Sequence, residues 1–325
     1  MRSKNIEFVK KATLTLINCK NDFFYMKQSV DKLYDIFKTI TGIDINDLNH
    51  GEIILPSGKA ISPSAAAHCL LEMKRTAIFL RGIKKAIDNK IKIEKRKINI
   101  LYAGCGPYAT LITPLFTIYN LDEIEITLLD INDASLNAAK KLINTLGLGD
   151  FINDYILADA SVYKVCKDYD IVISETMQSC LQNEPQVAIM KNLIPQISEK
   201  AVFIPEQINI DCYLRNPGKW NEKEGMHTGA KSMFLESLFL INKSELDINK
   251  SRKSINIPNN LNGFVELMLH TTIVVFGDEI LKVNDCSLNL PMKFYEFRNR
   301  YAKSIEFSYL LTPKPRIDCK VVDFA

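Results

Sequence analysis

The stretch that most constrains this chain is 98–111, Ile-Asn-Ile-Leu-Tyr-Ala-Gly-Cys-Gly-Pro-Tyr-Ala-Thr-Leu. An apolar, β-branched run stops at Gly104-Cys105-Gly106, and a helix-like pattern follows. A strand that ends in glycines and hands over to a helix is how an α/β domain presents a nucleotide-like cofactor at the end of its first strand. Gly104 and Gly106 lack Cβ, so the backbone can turn sharply and a ligand can come close. Pro107 suits the first turn of a following helix, where no amide donor is needed. Gly-x-Gly-x-x-Ala over residues 104–109 is shared by several ligand classes, and a tight turn without a ligand also fits it.

The surrounding pattern supports an α/β fold. Strands are expected at 98–103, 125–129, 155–157, 170–174 and 201–210, with helices between them, including 134–146 and 185–194. Short apolar strands of this kind indicate a mostly parallel, buried sheet. Residues 1–50 read as helices, with Val30, Leu33, Ile36 and Phe37 at helical spacing. Residues 51–63 contain Pro56, Gly58 and Pro63 and read as a loop. Residues 64–89 read as one helix with an interruption at Gly82. After Tyr213 the character shifts. The sequence predicts a short apolar helix over 232–241, then an antiparallel sheet from 264–276, 279–283 and 305–311. The expected fold class is a Rossmann-like α/β sheet (93–215) between an N-terminal helical region (1–92) and a smaller β-rich part (216–325). That last part would serve substrate binding or dimerisation.

Composition narrows the partners. The formal charge of +3 gives no push toward nucleic acid or an anionic membrane. The lysine-rich run 84–97 lacks the interleaved aromatics of a single-strand binder and reads as a solvated helix end. Eight cysteines form no Cys-x-x-Cys pair, and His50, His68, His227 and His270 make no ligand cluster. No metal site is therefore expected, and a reducing, cytoplasmic compartment is. No apolar run reaches the roughly 18 residues of a membrane span, and the N-terminus lacks a secretory apolar region.

Four carboxylates carry the chemistry. Asp130 ends the second strand, where it can accept from both hydroxyls of a ribose, or else cap the helix beginning near Ile131. Asp159 follows the third strand and can accept from an adenine amino group, or else face solvent in a turn. Acceptors at successive strand ends, with no phosphate-binding lysine, suit adenosine without a pyrophosphate. S-adenosyl-L-methionine fits that description better than a dinucleotide does. Glu175 ends the fourth strand, and Glu184 closes the following loop just before Pro185. A loop that folds back could aim both at one point, and paired carboxylates match the planar donor fork of a guanidinium. Glu184 could instead favour the N-terminal end of its helix.

The stretch 174–184, Ser-Glu-Thr-Met-Gln-Ser-Cys-Leu-Gln-Asn-Glu, resembles the double-glutamate loop of protein arginine methyltransferases. Both glutamates, Met177 and Leu181 fall in register with it. Phe203-Ile204-Pro205-Glu206-Gln207 is similar to that family's Phe-Pro-Asp segment, and Glu72-Met73-Lys74-Arg75-Thr76 to its Asp-x-x-Arg-Thr helix. The resemblance covers roughly 68–215 and implies a class I methyltransferase of divergent, bacterial type with a short C-terminal part. By that resemblance Arg75 would bind the methionine carboxylate of the cofactor. Gly104, Gly106 and Asp130 would hold its aminopropyl arm and ribose, with Asp159 on the adenine side, and Glu175 and Glu184 would be catalytic. The chain departs from the family in having Tyr102 where an acid precedes the glycine turn, Tyr108 for the third glycine, and Thr176 for a Trp.

The expected activity is N-methylation of a guanidino or amino group on a small molecule or peptide. An O- or C-methyltransferase and a non-catalytic cofactor-binding partner are the alternatives. The segment 232–241 could be a dimerisation arm, giving a homodimer, or a helix packed on its own domain.

Overall fold

The computed structural model describes residues 2–20, 22–46, 51–221, 226–250, 252–297 and 302–324. His50 lies outside the described residues, as do the side chains of Trp220 and His227.

Two helices open the chain, α1 (Arg2–Asn18) and α2 (Phe23–Thr41). Asp22 starts α2 by accepting from the amides of Phe24 and Tyr25, and Gly42 ends it in the left-handed conformation. Val30, Leu33, Ile36 and Phe37 are buried, as their spacing predicts. The stretch expected to be a plain loop contains a hairpin, β1 (Ile53–Leu55) and β2 (Gly58–Ala60), turning at Pro56-Ser57. Then come α3 (Pro63–His68), a 3₁₀ turn (Cys69–Leu71) and α4 (Met73–Glu94). The helix expected over 64–89 is thus broken at Glu72, whose ψ of 87° is non-helical. Gly82 sits inside α4, where a Cβ would collide with the Val275 side chain. That glycine serves close packing, not a kink.

The central sheet is parallel, in the order β5 (Ile152–Leu157), β4 (Ile124–Asp130), β3 (Ile98–Ala103), β6 (Ile171–Ser174), β7 (Val202–Ile204). Helix α5 (Asp133–Leu146) crosses from β4 to β5, and α6 (Gln186–Leu193) from β6 to β7. The strand order reverses beside β3, so the carboxyl ends of β3, β4 and β6 form the crevice where open α/β sheets bind ligands. No α-helix follows the glycine turn. Residues 107–118 wind through successive turns and a 3₁₀ segment, Leu115–Thr117. Pro114 has no N–H for a helical ladder and disfavours a helical Thr113, and Ala109 has a φ of +42°.

The strand expected over 201–210 is interrupted at Pro205-Glu206. Its second half, β8 (Gln207–Asn216), leaves the parallel sheet and pairs antiparallel with β11 (Lys231–Asn242) and β13 (Glu266–Phe276). Between β8 and β11 lies a small hairpin, β9 (Lys219–Asn221) and β10 (Met226–Thr228). Strands β14 (Glu279–Leu281) and β15 (Met292–Glu296) pair with β13. A second antiparallel sheet holds β12 (Arg252–Asn256), β16 (Ala302–Leu310) and β17 (Arg316–Phe324).

The helix expected over 232–241 is therefore strand β11. Register shifts between Phe234 and Glu236 and between Ser237 and Phe239 each break the two-residue alternation. The buried residues Leu238, Phe239 and Ile241 then fall at spacings that mimic a helix. Among the described residues, no helix is long and apolar enough to cross a membrane.

Candidate active site

A cavity of about 600 Å³ opens at the carboxyl ends of β3, β4 and β6. That is ample for one cofactor-sized ligand. All seven residues singled out in the sequence line it: Arg75, Gly104, Gly106, Asp130, Asp159, Glu175 and Glu184.

The glycine turn forms one wall. Gly104 and Gly106 have φ of +75° and +66°, which L side chains rarely adopt. The amides of Gly104 and Cys105 both donate to the Leu129 carbonyl (2.8 and 3.2 Å), fixing the turn to β4. A Cβ on Gly104 would strike the Thr176 methyl group. Asp130 is 7% exposed and accepts from the Gly106 amide through Oδ2 and from the Asn132 amide through Oδ1, both at 2.8 Å. The cap of α5 is Asn132, which accepts from the Ser135 amide. Each Asp130 oxygen keeps acceptor capacity toward the cavity. Burial raises its carboxyl above the usual range, against the pull of the Asn132 and Gly106 amides. At the far end Asp159 accepts from the Ser161 amide at 2.8 Å.

The opposite wall holds a buried ion network. Arg75, in the first turn of α4, donates from Nε to Glu175 Oε2 at 2.9 Å and from Nη2 to the same oxygen. Its Nη1 donates to Glu72 Oε2 at 2.6 Å. Glu72 also accepts from the amide and hydroxyl of Ser287 at 2.6 and 2.9 Å. Glu175 Oε1 is buried without a hydrogen-bond partner among the described residues. An orphaned buried carboxylate oxygen is costly, and a ligand donor would satisfy it. Burial pushes the Glu175 carboxyl up, and Arg75 pulls the other way.

Glu184 is 6% exposed. Burial, then the charge of Glu175, pushes its carboxyl up to about 7. The loop between the two glutamates is held from several sides. Cys180 donates its amide to Thr271 Oγ1 (2.9 Å), and Asn183 donates its amide to the Pro315 carbonyl (2.8 Å). Tyr309 donates its hydroxyl to the Leu181 carbonyl at 2.9 Å. Gln186 is wholly buried. Its Oε1 accepts from the Thr176 amide (2.9 Å) and its Nε2 donates to the Ser174 carbonyl (3.1 Å), so one side chain brackets Glu175.

Four carboxylates line the cavity, Asp130, Asp159, Glu175 and Glu184, against the cations Lys59 and Arg75. The site therefore favours a cationic ligand. Sequence reasoning missed three contributors. The hairpin supplies Leu55 and Lys59, and the Lys59 amide donates to the Asn183 carbonyl at 2.8 Å. The segment 287–292 supplies Ser287, Leu288, Leu290 and Met292. Gln186 carries no sequence signal beyond its place in the helix expected over 185–194. The one local signal was Gly58, whose φ of +129° lets the hairpin approach the loop backbone.

No family model matches the chain, and no curated protein matches it. Among solved structures 386 chains match. One is the Trypanosoma brucei PRMT1 enzyme–prozyme heterotetrameric complex with AdoHcy, at 13% identity and a TM-score of 0.52. The match covers 74% of this chain and 86% of that one. The chain thus has the fold of that methyltransferase: N-terminal helices, a five-stranded parallel sheet and an antiparallel β region.

Proposed function

We propose that this protein is an S-adenosyl-L-methionine-dependent N-methyltransferase acting on a guanidino or amino group of a small molecule or peptide. The observation that carries the reading is the convergence of two carboxylates with buried side chains, Glu175 and Glu184, on the cavity formed by the glycine turn. The shared fold supports it, and so does the S-adenosylhomocysteine in the matched complex.

The residues present fit the cofactor. Gly104 and Gly106 allow close backbone approach, Asp130 suits the ribose hydroxyls, Asp159 the adenine amino group, and Arg75 the carboxylate. When bound, the cofactor would supply a methyl group on a sulfonium, with a neutral thioether as the leaving group of an in-line displacement. The protein's task is to align the acceptor nitrogen and exclude water. A guanidinium, with pKa above about 12, is a poor nucleophile. Glu175 Oε1 and Glu184 would hold its N–H groups, draw its positive charge away from the attacking nitrogen and fix the lone pair. Glu184, titrating near 7, is suited to take up the released proton.

The test is a methylation assay over free arginine, guanidino acids, amines and arginine peptides, read as a mass gain of one methyl. Glu175→Gln and Glu184→Gln should each lower turnover by about two to four orders of magnitude. Turnover within a few-fold of wild type in both variants would overturn the catalytic assignment. Methylation confined to hydroxyl or carbon acceptors would overturn the acceptor class.

A further inference from the structure

One cation lines the cavity without a place in the chemistry above. Lys59 lies in β2, on the hairpin that rests against the glutamate loop, and its side chain is 27% exposed. Its amide donates to the Asn183 carbonyl at 2.8 Å. The neighbouring Gly58 runs so close that a Cβ there would stand 3.1 Å from the Glu184 carbonyl carbon. Residues 58–59 and 183–184 therefore lie side by side. The charge of Lys59 reaches the Glu184 carboxyl, pulling against the burial that raises it.

Two features make this ammonium available to a ligand. Its Nζ donates to Glu52 Oε1 at 2.6 Å, and Glu52 is 45% exposed. An ion pair open to water contributes little, so exchanging that carboxylate for another costs little. An ammonium also has three donors, and the bond to Glu52 occupies one of them. The other cation of the cavity, Arg75, is committed to Glu72 and Glu175. The capacity to take an anion beside Glu184 therefore rests with Lys59. A lysine there repels a purely cationic acceptor and attracts one that also carries an anion.

Resting on the proposed function, we infer that the acceptor is a small zwitterionic amino or guanidino acid: Glu175 and Glu184 hold its reacting nitrogen end, and the Lys59 ammonium pairs with its carboxylate. An arginine inside a peptide chain has no free α-carboxylate and lacks that second anchor. Lys59 is then a specificity residue, remote from the transferred methyl group.

Methylation kinetics with two matched pairs test this: arginine against agmatine, and lysine against cadaverine, each pair differing by one carboxylate. Wild type should favour the acid of the methylated pair by at least about tenfold in kcat/KM, the scale of a hydrogen bond to a charged group. Lys59→Met keeps the amide bond to Asn183 and should bring that ratio near one, whereas Lys59→Arg should preserve it. Calorimetry should show S-adenosylhomocysteine bound by Lys59→Met as by wild type. Weaker binding with an unaltered ratio would put Lys59 on the cofactor and overturn the inference. So would a wild-type ratio near one, or a preference that survives in Lys59→Met or vanishes in Lys59→Arg. Each of these outcomes leaves the proposed methyl transfer standing. If wild type methylates an arginine peptide but neither pair, the free-acid inference falls alone. If it methylates no amine or guanidine, both readings fall.

Discussion

A carboxyl group that titrates near 7 makes Glu184 the residue through which pH acts on this protein. Its unfolded-state value is near 4.5, so between about 4.5 and 7 the native state holds the extra proton. Stability from this group is complete below 4.5 and is lost as pH rises through 7, a change of about 3 kcal/mol. Glu184→Gln should therefore stabilise the protein against denaturant at pH 8 by up to that amount and change little at pH 4.5. A larger gain at the lower pH would contradict the sign. On the proposed mechanism the same ionisation holds a cationic acceptor, so kcat/KM should rise with pH through about 7 and flatten in the variant. Gly104 gives a second residue-scale test. Gly104→Ala forces an L side chain to a φ of +75° and into Thr176, and calorimetry should show S-adenosylhomocysteine binding reduced at least about 100-fold. Gly104, Gly106 and Asp130 were legible in the sequence because turn chemistry and strand ends are local. The Arg75–Glu175 pair was not, because a guanidinium's spatial partner leaves no mark at its own position.

The loop between the glutamates shows how an element can be held against its own preferences. Cys180, Leu181 and Asn183 have φ of +54°, +54° and +64°, a region that non-glycine residues seldom occupy. The loop stays in place because its amides and carbonyls are bonded to Thr271, Tyr309 and Pro315. Gln186 does the same for the end of β6. Gln186→Met keeps the shape but leaves the Thr176 amide and the Ser174 carbonyl unsatisfied. It should lower stability by about 2 kcal/mol and kcat by at least tenfold, with cofactor affinity little changed. An unaltered kcat would show that Glu175 needs no bracket. The elements that sequence reasoning misread failed for related reasons. The bulges of β11 scrambled its alternation, and Pro114 unwound a segment whose apolar pattern was helical. Periodicity reports which side chains are buried, and it reports the backbone only when the period is unbroken.

At the scale of the whole molecule, the parallel sheet and its crevice followed from the sequence, whereas the walls closing the crevice did not. Those walls come from distant segments. The β1–β2 hairpin reaches Ser161 through Ser57 (3.0 Å between hydroxyls) and the glutamate loop through Lys59, and Ser287 comes from beyond β14. Gly58→Ala would place a Cβ 2.7 Å from the Asn183 carbonyl oxygen. Amide exchange at Lys59 should then accelerate at least about tenfold, with weaker S-adenosylhomocysteine binding. Unchanged exchange would mean that the hairpin does not rest on that loop.

The bonds from Tyr309 and Pro315 to the glutamate loop also set an order of events during synthesis. Strands β3 to β7 leave the ribosome well before those two residues exist, and at about 5–20 residues per second the interval lasts several seconds. During that interval the cofactor crevice can assemble while the loop lacks the partners that hold its left-handed residues. Ribosome-bound chains stalled before Tyr309 should capture S-adenosylhomocysteine yet transfer no methyl group. On the proposed function, the ability to turn over would then arrive last, once Tyr309 and Pro315 bond the glutamate loop.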